Sequence, residues 1–194
     1  MPTQNLIIFA SGTGSNARKI IDFFRDHPSV NISLIVCNKP GAGVLDIAKK
    51  ENIPTLIIEK EQFFRGNGYV DELKAFEPDL IILAGFLWKL PACLVKAFPR
   101  QIINIHPALL PKYGGKGMYG HFVHEAVSAS GDRETGITIH FVDELYDHGD
   151  NIFQARVPVE QSDTPEIIAK KVQVLEHTYL PTVVKDLLDK KANA

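Results

Sequence analysis

The hexapeptide Ile102-Ile103-Asn104-Ile105-His106-Pro107 carries residue types suited to acyl chemistry, at a spacing that brings them together. In an extended strand, side chains at i and i+2 share a face, so Asn104 and His106 project side by side. An asparagine amide donates to a developing oxyanion, and an imidazole exchanges a proton near neutral pH. Pro107 cannot continue a central ladder, so the strand ends there. A histidine in this role needs a carboxylate to orient it and raise its pKa. The polar interval 143–150 offers Asp143, Glu144, Asp147 and Asp150, and spacing alone does not choose among them.

A second cluster, Ser11-Gly12-Thr13-Gly14-Ser15-Asn16-Ala17, lies between an apolar run and an amphipathic one. Glycines let the backbone approach a ligand, and a helix N-terminus presents free N–H groups with a partial positive charge. Such a loop cradles phosphate. Gly12-x-Gly14-x-x-Ala17 also fits a relaxed dinucleotide fingerprint, which expects an acidic residue about 20 positions on. The chain there reads Cys37-Asn38-Lys39, without a carboxylate, although Lys39 leaves a 2′-phosphorylated dinucleotide open. The loop therefore reads as a mononucleotide-type phosphate site, with Ser15 and Asn16 adding side-chain contacts.

Positioning these groups falls to alternating short apolar runs and longer amphipathic ones, the pattern of βαβ units and a largely parallel sheet. Strands are predicted at Leu6–Ala10, Ile32–Cys37, Thr55–Ile58, Leu80–Ala84 and Ile102–His106. Helices are predicted at Ser15–Asp26, Val44–Asn52, Tyr69–Phe76 and Pro91–Phe98. After His106 comes a proline- and glycine-rich loop, then a helix over Gly120–Ser130 and strands at Thr135–Val142 and Ile152–Val159. A last helix starts at Thr164-Pro165-Glu166, where Thr164 suits the N-cap and Pro165 the first turn. It runs to about Leu188, with Pro181 as a candidate kink. In open α/β sheets ligands bind beyond the carboxyl ends of the strands, where both chemical clusters fall.

The chain has 194 residues, 45% of them hydrophobic, which bounds it to one ordinary globular domain. Twenty-one basic residues face 23 acidic ones, so no general basic field exists to hold nucleic acid or an anionic membrane. The longest apolar run, Leu80–Trp88, falls well short of the roughly 20 residues that a bilayer span needs. With no secretory signal pattern at the N-terminus, a cytoplasmic location is expected. Both cysteines, Cys37 and Cys93, sit in apolar stretches and read as buried reduced thiols. His121 and His124 stand three apart beside Glu125, but sequence places no third ligand, so no metal is expected.

The run Asn104-Ile105-His106-Pro107-Ala108-Leu109-Leu110-Pro111-Lys112-Tyr113 closely resembles the core motif of the glycinamide ribonucleotide formyltransferases. The resemblance extends to Ser11–Asn16, Leu83-Ala84-Gly85-Phe86, Thr138-x-His140-Phe141-Val142, the loop to Asp147, and Glu176-His177 with Pro181. It implies a single α/β, Rossmann-like formyltransferase domain over 1–194, with a mostly parallel sheet of about seven strands and helices on both faces. Residues 1–100 would form the phosphate-binding half and 101–194 the catalytic and folate-binding half. The implied activity moves a formyl group from N10-formyltetrahydrofolate, a co-substrate, to the amine of N1-(5-phosphoribosyl)glycinamide in purine biosynthesis. Since the Asn-x-His motif also occurs in formyltetrahydrofolate hydrolases, hydrolysis or another amine acceptor is the alternative. The implied catalytic residues are Asn104, His106 and Asp147. The nucleotide would meet Gly14, Ser15, Asn16, Gln173 and Glu176. Folate would meet Arg65, Leu87, Trp88, Lys89, Leu90, Asn104, Asp143 and Asp147. Partners would be small molecules only, and the assembly a monomer or homodimer.

The chain departs from the family in three places. Trp88 stands where arginine is common and Lys89 where an apolar residue is. The loop Tyr113–Gly120 is longer than expected, and His148 replaces the usual glycine after Asp147, where it could compete for that carboxylate.

Overall fold

The structure, a computed structural model, describes residues 3–193. Five strands run parallel: β1 (Gln4–Phe9), β2 (Val30–Cys37), β3 (Thr55–Ile57), β4 (Leu80–Leu83) and β5 (Ile102–His106). Two further strands, β6 (Glu134–Phe141) and β7 (Asn151–Pro158), extend the sheet antiparallel beyond β5. The order is β3-β2-β1-β4-β5-β6-β7. Strand order reverses between β1 and β4, which opens a crevice at their carboxyl ends.

Helices cover both faces, and β1 explains why every position of its apolar run must be apolar. Leu6 and Ile8 point into one core with α1 (Ser15–Phe24), α2 (Gly43–Lys50), α6 (His121–Ser130) and α7 (Pro165–Ala192). Ile7 and Phe9 point into a second core with α3 (Lys60–Arg65), α4 (Val70–Lys74) and α5 (Ala92–Ala97). A strand buried on both sides loses the polar alternation of a surface strand. In α1, Ala17, Ile20, Ile21 and Phe24 form the single buried stripe that their spacing predicts. The Thr164 hydroxyl caps α7 by accepting from Ile167 N, at 3.4 Å. No helix among the described residues is long and apolar enough to cross a membrane.

Several expectations are corrected. Helix α3 carries one fully buried side chain, Phe63, and is too short for its apolar period to be read. Helix α7 runs on to Ala192, past the expected end near Leu188, with Pro181 inside it among the buried residues Leu180, Val183 and Val184. Cys93 is exposed, because α5 turns Leu94 rather than its neighbour into the core, whereas Cys37 inside β2 is buried.

Gly14 links the fold to the crevice. It precedes α1 with φ +77°, and a Cβ there would lie 2.8 Å from the Val44 side chain of α2. Both the backbone angle and the packing exclude a larger residue. Gly14→Ala is expected to cost about 1–3 kcal/mol in chemical denaturation. A loss under about 0.5 kcal/mol would mean that the β1–α1 turn tolerates other conformations.

Candidate active site

One cleft of about 730 Å³ runs along the crevice, within the roughly 300–1,000 Å³ usual for small-molecule sites. Gly12–Asn16 after β1 form one end, joined from α7 by Gln173 and Glu176. Leu87–Leu90 after β4 form the other end, facing Asp143 and Asp147. Asn104 and His106 at the end of β5 lie between.

Antiparallel pairing of β5 with β6 builds the centre. It sets Asn104 opposite His140 and His106 opposite Thr138. Asn104 Nδ2 and His140 Nε2 are 3.1 Å apart, and His140 Nδ1 lies 2.8 Å from the Phe141 carbonyl. A carbonyl only accepts, so His140 carries its proton on Nδ1 and Nε2 accepts from the Asn104 amide. The second N–H of Asn104 stays free for the cleft. His106 has the opposite tautomer. Its Nε2–H donates to the Tyr113 carbonyl at 2.7 Å, leaving the Nδ1 lone pair 3.6 Å from Asp147 Oδ1.

The electrostatics follow from burial. His106 is only 3% exposed, and desolvation lowers its pKa below 6.5, outweighing the attraction of Asp147 and the Tyr113 hydrogen bond. Burial thus opposes, and outweighs, the upward pull that the Asp147 carboxylate exerts on this ring. Burial also pushes the Asp147 carboxyl up, but His140, His106 and the Gly115 N–H together hold it below its ordinary value. Gly115 N donates to Asp147 Oδ2 at 2.9 Å, which stabilises Asp147 at a left-handed φ of 51°. His148 does not compete for Asp147. Its Nδ1 lies 2.8 Å from Asp143 Oδ2 instead.

At the glycine-rich end, Gly14 leaves the first turn of α1 without a side-chain cap, so its N–H groups stay open. Asn16 Nδ2 donates to Glu176 Oε2 at 3.0 Å, while its Oδ1 is buried without a partner. Burial raises the Glu176 pKa despite that hydrogen bond. At the far end, Trp88 packs 5.6 Å from Phe63 and 5.4 Å from Phe64, centroid to centroid. Lys89 Nζ sits 5.0 Å over the Tyr146 ring, a cation–π contact between the two rims.

Of the residues assigned to the catalytic, nucleotide and folate sets, Arg65 alone stands outside the cleft wall, on exposed α3, paired with Glu61 at 3.1 Å; the other carboxylates offered for His106, Glu144 and Asp150, and Lys39 also lie outside it. His140 was not singled out as a site residue, although Thr138-x-His140 repeats the period-two spacing of Asn104-x-His106. His121, His124 and the glycine-rich loop Gly115–Gly120 also line the cleft. No group of three or more side chains suited to a metal ion occurs among the described residues.

A formyl transferase family model matches residues 4–184. The chain is 44% identical to the chloroplastic phosphoribosylglycinamide formyltransferase of Arabidopsis thaliana, over 97% of this chain and 66% of that one. It is 34% identical to phosphoribosylglycinamide formyltransferase of Bacillus subtilis, over 95% of each chain. It thus spans just under two thirds of the Arabidopsis relative and almost all of the bacterial one. The crystal structure of phosphoribosylglycinamide formyltransferase from Bacillus halodurans superposes with a TM-score of 0.87, at 34% identity over 97% of each chain.

A site-resolved titration checks the electrostatics. By NMR, His106 should titrate below 6.5, and Asp147→Asn should lower it further by removing the charge that favours the imidazolium. A His106 value above 6.5 in the unsubstituted protein would mean that Asp147 outweighs burial.

Proposed function

The chain belongs to the formyl transferase family, and from that premise we propose that it moves a formyl group from N10-formyltetrahydrofolate to the amine of N1-(5-phosphoribosyl)glycinamide. The observation that carries this reading is one continuous cleft with an anion-binding turn at one end and the Asn104–His106–Asp147 group at its centre. A nucleotide phosphate fits the open N–H groups of α1, with Gly14, Ser15 and Asn16 around it. Gln173 and Glu176 on α7 would contact the rest of the nucleotide. The aromatic and apolar wall at Leu87–Leu90 suits a flat heterocycle, with Asp143 and Asp147 supplying polar contacts. Arg65 would meet only the anionic tail, outside the cleft wall. Taken so, the chain is one domain, with residues 1–100 binding phosphate and 101–194 carrying the catalytic groups and the folate-facing loop at 143–147.

When the amine adds to the formyl carbon, negative charge gathers on the formyl oxygen. Asn104 has a free N–H for that oxygen, because its other N–H is committed to His140. The attacking amine must lose a proton and the departing N10 must gain one. Neutral His106 can take the first and return the second through Nδ1, so the exchange needs no outside acid. Asp147 steadies the imidazolium while the proton is held. Closure of the two substrates into one cleft supplies proximity, and no metal is required by this chemistry.

The reading is tested by following 10-formyl folate spectroscopically, with and without the nucleotide. Turnover that requires the nucleotide supports transfer; equal turnover without it would make the chain a hydrolase. Within the transferase, Asn104→Ala should lower kcat about 10²–10³-fold with little change in nucleotide KM. A large KM change at unchanged kcat would remove Asn104 from the oxyanion role.

A further inference from the structure

Three consecutive residues, Tyr113-Gly114-Gly115, hold both members of the His106–Asp147 pair through backbone atoms alone. The Tyr113 carbonyl accepts the His106 Nε2–H at 2.7 Å, and the Gly115 N–H donates to Asp147 Oδ2 at 2.9 Å. The segment is unfavourable in itself. Tyr113 adopts φ +56°, in the left-handed region that non-glycine residues seldom enter. Gly114, lacking a Cβ, lets the segment pass close to Leu110, where a Cβ would lie 2.5 Å from Leu110 Cδ2.

What offsets this strain lies at the far end of α6. The single proton of the Tyr113 phenol is shared between Ser130 Oγ at 2.6 Å and Asp132 Oδ2 at 2.7 Å. Those acceptors are themselves held: Ser130 Oγ donates to the Val127 carbonyl and accepts from Asp132 N, and Lys112 Nζ donates to Asp132. The phenol is thus pinned to a closed network outside the cleft, while its own carbonyl faces the catalytic ring.

We propose that Tyr113 is a positioning residue whose anchored phenol selects the Nε2–H tautomer of His106, and so makes Nδ1 the proton carrier. A neutral imidazole has one N–H, and whichever nitrogen finds an acceptor keeps it. If the Tyr113 carbonyl swings away, Nε2 loses its acceptor and the proton is free to move to Nδ1. The lone pair then leaves the side facing Asp147. The catalytic consequence rests on the formyl-transfer reading; the tautomer does not.

The test is Tyr113→Phe, which keeps the ring and deletes both phenol hydrogen bonds. Imidazole ¹⁵N spectra of the free protein should change from a single Nε2–H form to a mixture of tautomers at His106. Where formyl transfer is measured, kcat should fall at least about tenfold, with both KM values within about twofold. Asp132→Ala is the second variant, expected to move the spectrum in the same direction. A single Nε2–H tautomer persisting in both folded variants would overturn the proposal. A tautomer shift in a protein without formyl transfer would overturn the function reading and leave the positioning role standing.

Discussion

The Thr138 hydroxyl, fully buried at the middle of β6, is the contact on which the arrangement of the site depends. It donates to the Ala108 carbonyl at 2.7 Å and accepts from Leu110 N at 3.0 Å and Gln154 Nε2 at 2.8 Å. That uses its one donor and both acceptor positions. The chain leaving β5 has no strand beyond Pro107 to bond with, so its backbone groups need side-chain partners. Thr138 and Gln154 provide them, the latter also reaching the Leu110 carbonyl. With the loop held there, the segment 113–115 arrives beside His106 and Asp147.

The edge of the sheet performs a task that its parallel part could not. Beyond β5 the direction reverses, and the antiparallel register brings β6 residues directly opposite Asn104 and His106. Two histidines on neighbouring strands then carry opposite tautomers, each set by a backbone carbonyl, Phe141 for His140 and Tyr113 for His106. Here one ring orients an amide and the other presents a lone pair.

Much of this was legible in the sequence wherever the signal is local. Apolar runs located the strands, the i, i+2 spacing paired Asn104 with His106, and the glycine turn marked the mouth of the crevice. What the chain alone could not show depends on register or burial. His140 became the partner of Asn104 only through strand pairing. Six-residue α3 has too little length for a period to appear. Cys93 looked buried because its neighbours are apolar, yet a short helix turns only one of them inward. The pKa of His106 is illegible for a related reason: Asp147 is visible in sequence, while the desolvation that outweighs it exists only once the ring is enclosed.

Trp88 has a consequence of a practical kind. It is the chain's single tryptophan, and it sits in the cleft wall against Phe63 and Phe64. Indole emission from this protein therefore originates at one place. Excited at the red edge, where the five tyrosines absorb little, the chain is its own optical probe of that end of the cleft. A molecule stacking there or displacing water from the indole would alter the colour and intensity of the whole signal. One entering only at the glycine turn would leave it nearly untouched, so occupancy of the two ends can be told apart by eye of the fluorimeter, without any label.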